Sequence, residues 1–172
     1  MPKKKSKKPA WIDVKRSIQN IEASQLIELV KELYQLSDEN MNFLHARFIG
    51  GTTSLKKYRK IILDSLYTDV LDEDDNFDFE KADKAIKTYA KATEDTEGVA
   101  DLIIYYVECG NKFTLDYGDI NEAFYDALIK MYEKAIESVC KMPKRKQEPF
   151  RKRLEKIMKS TGSSEIEAVF NE

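Results

Sequence analysis

Apolar residues recur three or four positions apart through most of the chain, and this spacing most narrows what it can fold into. The period matches the 3.6 residues of a helical turn and conflicts with the alternation of a half-buried strand. Trp11, Val14, Ile18 and Ile21 form a first stripe, and Leu26, Ile27, Val30, Leu33 and Tyr34 a second. Phe43, Leu44 and Phe48 make a short third, and Leu55, Tyr58, Ile62, Leu66 and Val70 a fourth. Phe79, Ala82, Ile86, Tyr89 and Ala90 mark the inward face of a fifth, and Val99, Leu102, Ile103, Tyr106 and Val107 that of a sixth. The clearest period is Phe124, Leu128, Met131, Ala135 and Val139, and a narrow stripe of Phe150, Leu154, Ile157 and Met158 follows.

Six glycines and four prolines in 172 residues leave few breakers, which favours long helices over a strand-and-turn fold. The expected class is all-α, a compact multi-helix bundle or short α-α solenoid of about seven to nine helices. No repeat has a fixed period, which argues against a true repeat array. The first helix is expected over Trp11 to Ile21, Ser24 caps the second, and Ser37 interrupts and recaps before Asp38 and Glu39. Gly50-Gly51 ends the third helix, Thr53 or Ser54 opens the fourth, and Asp78 caps the fifth. The sixth runs from about Glu97 to Glu108, with Gly110 placed to end it as a left-handed cap. Asp119 and Glu122 have capping-box spacing before the seventh, and Pro149 suits the first turn of an eighth that Gly162 stops. A last turn holds Ile166, Val169 and Phe170.

The length suits one helical domain over residues 11–172, after a disordered basic tail at 1–10 and with a basic C-terminal helix at 147–160. The net charge of -2 hides segregation: residues 1–16 carry +6, residues 141–159 carry +7, and residues 17–140 carry -12. The longest apolar run, Leu102 to Val107, falls far short of the roughly 20 residues that span a bilayer. The lysine-rich start is followed by no apolar signal-peptide core, so a cytoplasmic place without a membrane partner is expected. Cys109 and Cys140 share no ligand spacing and sit among apolar residues, as small hydrophobes do.

Two segments, LYQLSDENMNFLHARF and the stretch from Lys81 to Ala135, together resemble an uncharacterised bacterial helical family known only as a domain of unknown function. The shared patterns are L-Y-x-L-x-x-E-N-x-x-F-L-x-A-R-F, A-I-x-x-Y-x-K-A, D-L-x-x-x-Y-V-E-x-G and Y-G-D-I-x-E-x-F-Y. Matches fall at Leu33, Tyr34, Leu36, Glu39, Asn40, Phe43, Leu44, Ala46, Arg47 and Phe48, then at Tyr89, Lys91, Ala92, Glu108, Gly110, Tyr117, Gly118, Asp119, Phe124 and Tyr125. The resemblance covers most of residues 24–140. It implies a compact helical protein of unknown activity and brings no catalytic residues, and the basic ends lie outside it.

No catalytic or metal motif emerges, and nothing in the sequence calls for a cofactor. Asp72, Asp74 and Asn76 mimic the start of a calcium loop. Phe77 then stands where glycine is needed and Asp83 where a bidentate glutamate is needed, so a solvated acidic turn is expected. Asp116, Asp119, Glu122 and Asp126 lack a histidine, and His45, the single histidine, lacks a catalytic or ligand partner. Gly50-Gly51-Thr52-Thr53 with Lys56 and Lys57 follows a helix instead of a strand and reads as a helix-helix turn.

Asn40, Arg47, Glu108 and Tyr117 stand out as a small polar pocket or a structural ion pair, with Glu108 as the expected partner of a partly buried Arg47. Lys144, Arg145, Lys146, Arg151, Lys152 and Arg153 are candidate phosphate contacts, and a helix docked on the acidic body is the competing account. The leading functional expectation is a non-enzymatic interaction or scaffold module binding a protein or small ligand. Weak nucleic-acid binding by the basic ends is the alternative, and an enzyme with an unfamiliar helical site comes third.

Overall fold

Stripes of apolar residues at helical spacing, punctuated by capping side chains, give eight helices and no strand among the described residues. In the computed structural model these are residues 10–67, 77–118 and 120–161. The basic tail at 1–9, the acidic stretch at 72–76, Asp119, Gly162 and the expected last turn lie outside them. The chain divides into two compact units, residues 1–41 and 42–172.

In the first unit, α1 (Trp11–Ile18) and α2 (Ala23–Leu36) are amphipathic, yet neither buries a residue. Helix α1 stops three residues before the expected Ile21. The start of α2 is held by Glu22, whose backbone N–H donates to Gln25 Oε1 at 3.1 Å, two residues before the expected cap Ser24. Ser37 recaps as expected: the Asn40 N–H donates to its Oγ at 3.2 Å and opens α3 (Asp38–Phe48), within which the division falls.

In the second unit, α4 (Gly51–Leu66), α5 (Phe79–Ala92), α6 (Thr96–Tyr117), α7 (Glu122–Cys140) and α8 (Lys144–Thr161) form the bundle. Helix α6 lies at its centre, packed against the other four. That position accounts for its twelve buried residues, among them Leu102, Ile104, Tyr106 and Phe113. Tyr58, Ile62 and Leu66 of α4, Ile86 and Tyr89 of α5, and all five expected residues of α7 complete the core. Leu154 and Ile157 dock α8 on it. In α5 the inward residues include Ala85 and Ala92, whereas the expected Ala90 is exposed.

Capping explains most boundaries. Asp78 accepts from the Lys81 N–H at 2.8 Å, as expected. Asp95 accepts from the Gly98 N–H at 2.9 Å and from the Tyr89 hydroxyl at 2.8 Å. Asn121, immediately before Glu122, accepts from the Phe124 N–H at 2.9 Å and caps α7.

Three expectations are corrected. Gly110 does not end α6, which continues seven residues to Tyr117; Gly118, with φ of 88°, takes the left-handed position. Gly110 is there for close approach, because a Cβ on it would lie 2.2 Å from Leu128 Cδ2 of α7. Helix α4 starts at Gly51 in place of Thr53 or Ser54, after the sharp turn allowed by φ of 64° at Gly50. Helix α8 starts at Lys144, which puts Pro149 inside it; that costs the helix the amide that would bond the Arg145 carbonyl.

Candidate functional site

An acidic residue in an apolar helix needs a partner, and Asp101 sits between Ala100 and Leu102 on the buried face of α6. It is 9% exposed, and two arginines from other helices reach it. Arg59 of α4 donates through Nε to Oδ2 at 2.8 Å and through Nη2 to Oδ1. Arg153 of α8 donates through Nη1 to Oδ1 at 2.7 Å. The same Arg153 grips Glu108, two turns along α6, with Nε to Oε1 at 2.8 Å and Nη2 to Oε2 at 2.7 Å. Two carboxylates and two guanidiniums thus alternate across three helices. The paired forks meet the planar geometry that makes arginine–carboxylate bonds strong.

Burial works against the charge on Arg153, but its hydrogen bonds to Glu108 and Asp101 outweigh that and hold its pKa above the ordinary arginine value. The Arg59 guanidinium also lies 5.0 Å from the centre of the Tyr105 ring. Burial pushes the Tyr105 hydroxyl up to about 12 and the neighbouring Cys109 thiol up to about 11. A thiol so raised is protonated at neutral pH. Cys140 is exposed, and both cysteines are free. The cluster is a charge lock that ties α4 and α8 each to the same carboxylate of α6. Among the described residues no group of His, Cys, Asp and Glu is arranged to hold a metal.

Arg47, Glu108 and Tyr117 each have separate partners within the second unit. Asn40 belongs to the first unit, where its Nδ2 donates to the Leu33 carbonyl at 2.8 Å and closes the end of α2. Arg47 is exposed, lies 5.5 Å from the Phe43 ring centre and donates to the Lys91 carbonyl. Its expected pairing with Glu108 is not what the bundle forms, because Arg153 already satisfies both oxygens of that carboxylate. Tyr117 packs beside Phe113 and Tyr67 at the end of α6. There the Tyr67 hydroxyl donates to Asp116, a bond that raises the tyrosine to about 12. His45 meets Lys57, with Nδ1 and Nζ 3.3 Å apart.

The six candidate phosphate contacts separate into two sets. Arg153 turns inward to the lock, and Lys146 pairs with Glu97 near the start of α6. Lys144, Arg145, Arg151 and Lys152 are exposed, with Lys152 3.3 Å from Glu148 one turn back. The residue-level reading missed Asp101 and Arg59. The available signal was a carboxylate interrupting an apolar run, which requires a buried cation from elsewhere.

No helix among the described residues is long and apolar enough to cross a membrane. No curated protein and no solved structure matches the chain. Residues 9–169 match the model of the family of unknown function DUF6155, and the chain belongs to that family, whose activity is unknown.

Proposed function

We propose that this protein is a non-enzymatic interaction module that pairs with a second copy of itself through the apolar faces of α1 and α2. The observation that carries this reading is the burial of the two helices. Both have a well-formed apolar stripe and neither buries a single residue. Trp11, Ile27 and Leu36 are 68%, 67% and 75% exposed, and Ile12, Val14, Leu26, Val30 and Leu33 are exposed as well.

An amphipathic helix gains most of its stability by burying that stripe, so a face this wide favours a partner. The eight residues hold on the order of 800 Å² of accessible surface, about what each side of a standard interface covers. Charges of both signs flank the stripe, namely Asp13, Lys15, Arg16, Glu28, Lys31 and Glu32, so the surface can face itself without net repulsion. A two-fold pairing of the apolar faces of α1 and α2 with those of a second copy meets these conditions.

Sedimentation equilibrium of the full chain tests it. The expected result is a reversible dimer that Val30→Glu and Leu33→Glu convert to monomer while the helical circular dichroism signal persists. A monomer at every concentration, or a dimer indifferent to both substitutions, overturns the reading.

A further inference from the structure

The docking of α8 sorts its cations by direction. Leu154 and Ile157 are buried, and Arg153 and Lys146 are drawn to acids of α6, so one face of the helix is used up by the bundle. Arg145, Lys152, Lys156 and Lys159 lie on the opposite face, seven, four and three residues apart, and all four are exposed. At about 1.5 Å of rise per residue they form a straight basic stripe about 21 Å long. Glu148 and Glu155 border it on one edge, between it and the exposed Lys144 and Arg151, and Glu148 lies 3.3 Å from Lys152 on the helix surface.

The acidic character of the body does not cancel this stripe, because the acids of α6 nearest α8 are already engaged: Asp101 and Glu108 by arginines, Glu97 by Lys146. The basic residues of α8 itself outnumber its acids, Glu148 and Glu155. No aromatic side chain lies on the outward face, since Phe150 packs against the core. A surface with cations and no stacking rings suits a densely charged backbone and is poorly suited to unpaired bases. A nucleic-acid duplex offers one negative charge per ~1.7 Å of axis.

We infer that the outward stripe of α8, built on Arg145, Lys152, Lys156 and Lys159, binds the phosphate backbone of duplex nucleic acid without reading its sequence. This inference is independent of the pairing proposed for α1 and α2, because the stripe belongs to the other unit. About four phosphate contacts give a slope of about -3 to -4 for log affinity against log salt, or about a hundredfold loss between about 50 and 200 mM.

Fluorescence anisotropy of the full chain with a labelled 20-base-pair DNA duplex (length about two helical turns) is the test. Expected are that salt slope, equal affinity for a second duplex of unrelated sequence, and weaker binding to a single strand of the same length. The combined Arg145→Gln, Lys152→Gln, Lys156→Gln and Lys159→Gln variant should bind about tenfold or more weakly and lose most of the salt slope. Lys130→Glu, a charge change on the exposed side of α7, should leave affinity unaltered. No binding at about 50 mM salt overturns the inference. So does a fourfold variant that binds as well as the parent, which would move the contact to the tail at Lys3 to Lys8. Equal weakening by Lys130→Glu, or tighter binding of the single strand, would also overturn it.

Discussion

Helices α2 and α6 are similar in sequence character and opposite in fate. Each carries a broad apolar stripe, Leu26 to Leu36 in one and Val99 to Phe113 in the other. In α6, twelve residues are buried because four helices pack around it, whereas in α2 none is. The difference teaches that periodicity establishes which face is apolar but not whether anything covers it. The two stripes therefore have different physical roles. That of α6 holds the fold, and that of α2 is left exposed.

Truncation of a core ring on α6 should have the largest effect. Phe113 is fully buried, and Phe113→Ala should destabilise the protein by about 3–5 kcal/mol in denaturant unfolding, as for buried aromatics generally. A loss below about 1 kcal/mol would mean that α6 is not the centre of the core. Next comes the charge lock. Asp101→Ala takes the carboxylate from Arg59, leaves Arg153 with Glu108 alone, and should cost about 2–3 kcal/mol in the same measurement. That is less than for a fully buried pair, because the Arg59 and Glu108 side chains are 36% and 33% exposed and water screens them. Gly110→Ala should lower the melting temperature by an amount equivalent to about 1–2 kcal/mol. The new Cβ meets Leu128 at 2.2 Å, and overpacking outweighs the better helix propensity of alanine. An unchanged or raised melting temperature would show that α6 and α7 part easily there. The smallest effect belongs to α2: Leu36→Ala should shift monomer stability by no more than about 0.5 kcal/mol. A loss of several kcal/mol there would erase the contrast between the two helices.

Much of the fold was legible in the sequence because its signals are local. Ser37 and Asp78 cap helices through bonds spanning three residues, and the stripe of α7 places Phe124, Leu128, Met131, Ala135 and Val139 inward with no reference to the rest of the chain. The candidate site was much less legible. Arg47 reads as an arginine in need of a carboxylate, with Glu108 as its partner, but nothing local tells that Glu108 is taken by Arg153 until α8 is placed beside α6. Gly110 fits a helix stop as well as a close helix crossing, and the side chain of Leu128 decides between them.

By itself the sequence determined an all-α chain, the inward face of most helices, a basic C-terminal helix and membership of a family of unknown function. These follow from period, composition and caps within a turn or two. Only the tertiary structure decided that α6 is central, that Arg153 and Lys146 serve the bundle, and that Arg145, Lys152, Lys156 and Lys159 face away from it. The physical reason is that a side chain's role depends on the charge and surface brought against it. For these residues, that comes from helices roughly forty to fifty positions away along the chain.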